Sequence, residues 1–218
     1  MVIFDCNGVL VDSEQLATRV MSRELMHAGF AVPADVIARY FTGRRTSDML
    51  AQIEAASGRK LPAGFADTVA RATLDCFRRE LRATPFVAEA LRWLRGPKCV
   101  ASSSPRDRIR LSLETTDLIR FFEPNLFSAS DVTRGKPAPD LFLLAAAKMR
   151  IHPDDCIVVE DATAGVAAAV AAGMTPIGFI GGSHASDYLE THLRQAGARA
   201  IVRDMRSLKA TIVDLRGW

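Results

Sequence analysis

Apolar positions change their spacing twice along this chain. Val2-Ile3-Phe4 is a short β-branched and aromatic run that stops at Asp5, the pattern of a buried strand delivering a polar residue at its carboxyl end. Cys6-Asn7-Gly8 supplies turn chemistry directly after it. From Ser13 to about Thr84 the spacing turns helical, with Leu16, Val20, Leu25 and Met26, and later Phe65, Val69, Ala72 and Phe77, recurring on one face. That stretch contains no convincing strand and reads as a small helical insert.

After Pro85, a plausible first helical residue, the texture changes again. A helix over 86–95 leads to a strand at Lys98–Ser102 and a helix near 105–116. A short strand at 125–128 and a helix over 139–149 follow. Cys156-Ile157-Val158-Val159 is the clearest buried strand. Beyond it come an Ala-rich helix over 162–172, a strand at 174–179, a helix near 185–196, a strand at 199–202 and a last helix. The Ala-rich run reads as close helix–sheet packing. Strands alternating with helices of this length imply an α/β fold with right-handed βαβ units and a parallel sheet.

In such sheets ligands bind beyond the carboxyl ends of the strands, and Asp5, Ser102 and Asp161 all fall there. Asp5 alone would pass for a turn or helix cap. Glu160-Asp161 at the end of another apolar strand changes that reading, because carboxylates converging from separate strands repel one another unless a cation lies between them. Oxygen ligands with room for water and a phosphate oxygen suit Mg2+. Ser102-Ser103-Ser104-Pro105 opens a helix, where a hydroxyl and free N–H groups form either an anion site or a simple N-cap. Lys136, in Arg134-Gly135-Lys136-Pro137-Ala138-Pro139, is stiffened by two prolines.

Composition narrows the class without deciding it. The 218 residues suit one large domain or a core with an insert. They are 49% hydrophobic and 24% charged, and mean hydropathy is near zero (+0.09). No apolar run approaches the roughly 18–20 residues needed to cross a bilayer, and Met-Val-Ile-Phe-Asp does not read as a signal peptide. Four widely spaced cysteines (Cys6, Cys76, Cys99, Cys156) fit reduced thiols rather than a disulfide frame or a zinc site. The expected location is the cytoplasm. A net charge of +3 with scattered Lys and Arg does not argue for nucleic acid, and nothing points to a membrane.

Taken together, these segments resemble the haloacid dehalogenase (HAD) superfamily. VIFDCNGVLVDSE is similar to its first motif, VASSS to its second, GKPAPDLF to its third and VVEDATAGVAAA to its fourth. The position of the insert resembles the subclass of β-phosphoglucomutase and many sugar-phosphate phosphatases. The resemblance implies a Rossmann-like parallel core (1–12 and 85–218) with a small all-α cap (13–84) inserted after the first motif. It also implies a Mg2+-dependent phosphatase acting on a small phosphorylated metabolite, such as a sugar phosphate or phosphorylated sugar acid. Asp5 would be the nucleophile, and Ser102 and Lys136 would hold the phosphate. Asp5, Asp161 backed by Glu160, and the main-chain carbonyl of Asn7 would hold the ion. Gly8 and Ser103 are further candidates for substrate contact, and members of the subclass suggest a monomer.

One position departs from the family pattern. Its phosphatases and mutases carry a second Asp two residues after the nucleophile, where this chain has Asn7. An amide cannot shuttle a proton, and general acid–base help is worth roughly 10²–10⁴ in rate. An introduced Asp-to-Asn change is the favoured explanation, because the other motifs are intact, and natural divergence is the alternative. In the cap, the subclass His and loop Arg fall on Ala17 and Thr46, which places phosphatase ahead of a β-phosphoglucomutase-like phosphohexomutase. Arg44 and Arg45 are candidates for a substrate carboxylate or hydroxyls. A dehalogenase or a phosphonatase, the latter relying on Lys60, and an inactive phospho-ligand-binding protein are further alternatives. Gly181-Gly182-Ser183-His184 reads as a surface loop, with the mouth of the site as the other possibility. His27, His152 and His192 read as structural or exposed.

Overall fold

The computed structural model describes residues 1–41, 46–186 and 188–216. Its centre is a six-stranded, wholly parallel sheet: β1 (Val2–Phe4), β2 (Lys98–Ser102), β3 (Leu126–Ser128), β4 (Ile157–Glu160), β5 (Thr175–Phe179) and β6 (Ala200–Val202). The strand order is β3-β2-β1-β4-β5-β6. β1 lies between β2 and β4, with Phe4 opposite Val100 on one side and Val159 on the other. The chain runs outward from β1 to β3, then crosses back to β4, so the order reverses at β1. That reversal opens a crevice at the carboxyl ends, where Asp5, Ser102 and Glu160 emerge.

Both faces of the sheet are covered, which is why its strands read as unbroken apolar runs. Alternate residues go to opposite sides. Phe4, Val100 and Val159 pack with Leu91 of α5 (Val87–Trp93), Leu113 of α6 (Arg106–Thr115) and Ile212 of α10 (Leu208–Arg216). Ile3, Ala101 and Val158 pack with Leu141 and Phe142 of α7 (Asp140–Met149) and Ala168 of α8 (Thr163–Ala171). The small side chains of α8 bring that helix close to β4 and β5. α9 (Leu189–Gln195) is shorter than its sequence pattern predicts.

Between β1 and α5 the chain forms α1 (Glu14–His27), α2 (Ala34–Phe41), α3 (Thr46–Ser57) and α4 (Phe65–Glu80). These helices bury a cluster of their own, including Met21, Leu25, Ile37, Ile53 and Val69. Two positions differ from the predicted apolar face. Met26 is exposed while Met21 is buried. Thr73 rather than Ala72 is fully inside α4, and its hydroxyl donates to the Val69 carbonyl at 2.8 Å, which satisfies the one polar group that burial would otherwise strand. α4 also reaches the sheet layer, since Phe77 and Leu81 join the cluster around Phe4. No described helix is long and apolar enough to cross a membrane. The four cysteines are buried and free.

Candidate active site

The site begins with the turn after β1. The Asp5 amide donates to the Val159 carbonyl at 3.0 Å, and the amides of Leu10 and Val11 turn back onto the Cys6 carbonyl. The turn passes through Gly8 at φ +72, and a Cβ there would lie 1.9 Å from Asp161 Oδ2. Only glycine lets the loop approach the fourth-motif carboxylate so closely.

Lys136 links the first and fourth motifs. Its Nζ donates to Asp5 Oδ1 at 2.6 Å, Glu160 Oε1 at 2.5 Å and the Ala101 carbonyl at 3.0 Å. All three donor positions of the ammonium are filled. The loop carrying it is clamped by Arg134, whose Nε and Nη2 donate to the two Asp140 carboxylate oxygens at 3.2 and 3.0 Å, and the Lys136 ammonium sits 4.9 Å from the Phe142 ring centroid. Burial works against this charge, but Asp5 and Glu160 more than offset it and hold its pKa above the usual lysine value. Burial and the neighbouring carboxylates push Glu160 up to about 8, against the pull of Lys136. Asp5 is raised for the same reason, burial first.

Glu160 is fully engaged. Oε1 meets Lys136, and Oε2 accepts from the amides of Asp161 and Ala162, both at 3.0 Å. Asp161 is thus the fourth-motif carboxylate whose oxygens point to the turn after β1. His184 approaches it: Nε2 lies 2.9 Å from Asp161 Oδ2, an ion pair when the imidazole is protonated. Burial lowers the pKa of His184, and the hydrogen-bonding and charge of Asp161, with Glu14 and Asp12 behind it, outweigh this and raise it. The loop bearing His184 is tied to the start of the helical insert. Ser183 donates from N and Oγ to Asp12 Oδ1 at 3.2 and 2.7 Å, and Gln15 Nε2 donates to the Ser183 carbonyl at 2.7 Å.

Asn7 Nδ2 donates to Ser104 Oγ at 2.8 Å, while its buried Oδ1 has no partner among the described residues. Ser102 Oγ accepts from the Ser104 amide at 3.4 Å. A cavity of about 400 Å³ joins Asp5, Asn7, Ser102, Ser103, Lys136 and Asp161. Glu160, Ala17 and Thr46 also border it. Gly8 lies against Asp161 rather than on the cavity lining. Arg44 and Arg45 lie outside the described residues. Lys60 is exposed, paired with Glu54 at 2.8 Å and absent from the cavity.

Glu14 and Arg108 were not singled out from sequence as functional, and His184 lies in the loop whose favoured reading was a surface loop, with the mouth of the site as the alternative; the structure sets it against Asp161. His184 follows the carboxyl end of β5, and the strand-end rule that marked Asp5 would have marked it too. Glu14 opens α1, and Arg108 lies in the first turn of α6; both border the cavity. Their signal was position alone, one helical turn past a strand-end loop.

Asp5, Asp161 and the orphaned Asn7 end of the turn offer hard oxygen donors to a small divalent ion. Among the described residues no three His, Cys, Asp or Glu side chains form a closed cage.

A parallel sheet with this strand order, carrying a lysine-linked carboxylate pair at its carboxyl edge, defines a class. The family model for haloacid dehalogenase-like hydrolases matches residues 1–173, and the chain belongs to that family. A curated relative, 6-phosphogluconate phosphatase of Escherichia coli (strain K12), is 30% identical over 184 residues, covering 84% of this chain and 83% of its own. A haloacid dehalogenase-like protein of Agrobacterium tumefaciens str. C58 superposes with a TM-score of 0.87 at 36% identity, covering 99% of this chain and 98% of that one. A HAD family hydrolase of Deinococcus radiodurans R1, solved with bound phosphate and sodium, gives a TM-score of 0.78 at 32% identity, covering 98% and 94%.

Proposed function

We propose that this hydrolase is a Mg2+-dependent phosphatase that acts on a small sugar phosphate or phosphorylated sugar acid through an aspartyl-phosphate on Asp5. The observation that carries this reading is the Asp5–Lys136–Glu160 chain at the carboxyl edge of β1 and β4, opening on a cavity of about 400 Å³. The phosphatase relative and the phosphate-bound structural neighbour support it.

In this reading Lys136 holds Asp5 Oδ1, which fixes the carboxylate and leaves Oδ2 to attack phosphorus. The same ammonium and the Ser102 hydroxyl oppose the charge on the phosphoryl oxygens, with Ser103 and the turn at Gly8 closing the phosphate end. Glu160 keeps Lys136 in place rather than binding the ion. Asp5, Asp161 and the Asn7 main-chain carbonyl would hold Mg2+, which supplies charge neutralisation between anionic nucleophile and anionic substrate. His184 positions Asp161 through Oδ2, the oxygen that also faces the Gly8 turn. Residues 13–84 act as a cap over the 1–12 and 85–218 core, excluding water while the acyl phosphate forms. Asn7 donates a hydrogen bond through Nδ2 but transfers no proton, so leaving-group protonation and water activation are slow.

The test measures phosphate release from 6-phosphogluconate and from several hexose phosphates, with Mg2+ and with EDTA. Mg2+-dependent release, lost in Asp5→Asn, is expected, together with acid-stable label on the protein from a phosphate-labelled substrate. Release that persists in Asp5→Asn or in EDTA overturns the mechanism. Mg2+-dependent binding of a sugar phosphate with no release, even in Asn7→Asp, would favour the reading that Asn7 motivates, a phospho-ligand-binding protein without turnover.

A further inference from the structure

Two more charged side chains border the cavity that holds Asp5. Glu14 comes from the helical insert and Arg108 from the sheet layer, so the pair brings together the two parts of the chain. The Arg108 guanidinium lies 4.9 Å from the Phe77 ring centroid, a stack that fixes its plane. Its buried Nε–H has no acceptor among the described residues. An unmet donor on a buried guanidinium is costly unless something supplies the acceptor.

Glu14 is the complementary case. Burial and the Asp161 charge push it up to about 7, with Arg108 opposing, and burial lowers Arg108, with Glu14 opposing. Each charge is therefore the other's leading attraction, yet among the described residues no hydrogen bond or ion pair joins them, and neither side chain has another hydrogen-bond partner there. An acceptor and a donor sharing one cavity without touching leave room for a group that both accepts and donates. A hydroxyl does both; a phosphate or carboxylate only accepts, and would be repelled by Glu14 beside Asp161.

We propose that Glu14 and Arg108 form a hydroxyl-recognition pair, Glu14 accepting from and Arg108 donating to hydroxyls on the carbon chain next to the phosphoester. The inference rests on the phosphatase reading and narrows it to polyol phosphates, that is, phosphorylated sugars and sugar alcohols. Arg108 and Glu14 stand on the core and insert sides of the cavity, so a bound polyol also bridges the two parts. The pair sets which ester is accepted, while Asp5 and Lys136 act on phosphorus whatever the leaving group.

The test is a discrimination ratio: kcat/KM for fructose 1-phosphate divided by kcat/KM for p-nitrophenyl phosphate, which carries no aliphatic hydroxyl. It is measured with Mg2+ in the parent chain and in the Asn7→Asp background. Glu14→Gln and Arg108→Lys keep size and polarity, so a folding defect does not decide the result, and Glu14→Ala and Arg108→Ala complete the set. Each alanine variant is expected to lower the ratio about 10- to 100-fold, the worth of one hydrogen bond to a charged partner. The double variant is expected to lose less than the product of the singles, because both contact the same hydroxyls. A ratio that stays fixed while both substrates fall together overturns the proposal in favour of a structural role, and so does a ratio that does not move at all. If neither substrate is turned over in either background, the phosphatase reading itself fails and the pair goes with it.

Discussion

Asn7→Asp introduces a proton-transfer group at the centre of the site while disturbing little else. Asn7 makes one side-chain hydrogen bond, from Nδ2 to Ser104 Oγ at 2.8 Å, and its Oδ1 is buried without a partner. A carboxyl oxygen in the Nδ2 position would accept from the Ser104 hydroxyl instead, so the contact survives with its direction reversed. The surroundings already favour protonated carboxyls: burial raises Asp5, and burial with neighbouring charge pushes Glu160 up to about 8. The new carboxyl would share that environment, which suits a general acid working near neutral pH. General acid–base help is worth roughly 10²–10⁴ in rate, or about 3–5 kcal/mol of barrier at about 1.4 kcal/mol per decade. Cap opening or product release can conceal part of this, so the expected gain in kcat is at least about tenfold. The assay is steady-state phosphate release from 6-phosphogluconate at saturating Mg2+. A second signature is thermal: without Mg2+ the added carboxyl faces Asp5 and Asp161, so EDTA should lower Tm more in the variant than in the parent. Equal turnover of the two forms would refute the assignment of position 7.

Three further outcomes follow from the same geometry. Lys136→Met leaves Asp5 and Glu160 buried with no cation between them, and equilibrium urea unfolding should show a loss of about 3–5 kcal/mol; an unchanged midpoint would mean the ammonium is not what holds the carboxylates. Gly165→Ala, which by helix propensity should stabilise by up to about 1 kcal/mol, should instead destabilise by about 1–3 kcal/mol, because a Cβ at Gly165 would lie 1.9 Å from Glu160 Oε1; a rise in Tm would contradict this packing. His184→Ala frees Asp161 Oδ2 from its 2.9 Å contact and should weaken Mg2+ binding about 10- to 100-fold, read from the Mg2+ dependence of Tm, and an unaltered midpoint would remove His184 from any positioning role.

Local pattern alone determined much of this protein. The runs at Val2–Phe4, Cys99–Ala101 and Ile157–Val159 are apolar at every step because both sheet faces are covered, and a strand of that kind announces itself without reference to its neighbours. Strand–helix alternation then dictates parallel pairing, and parallel pairing places Asp5, Ser102 and Asp161 at one edge. Boundaries and phases within the helical insert were less legible: Met26 fits the helical period as well as Met21 does, and only the neighbouring helices decide which of them is buried.

Tertiary structure decided how the charges are shared. Glu160 and Asp161 are adjacent and chemically alike in sequence, yet one is spent on Lys136 and two amides while the other faces Gly8 and His184. Nothing local distinguishes them, because the difference comes from a lysine 24 residues away and a loop after another strand. Glu14 and Arg108 are legible only as helix-start charges until folding sets them across one cavity. Backbone pattern is a short-range property that a sequence carries openly, whereas electrostatic pairing depends on distances the chain acquires only when it closes on itself.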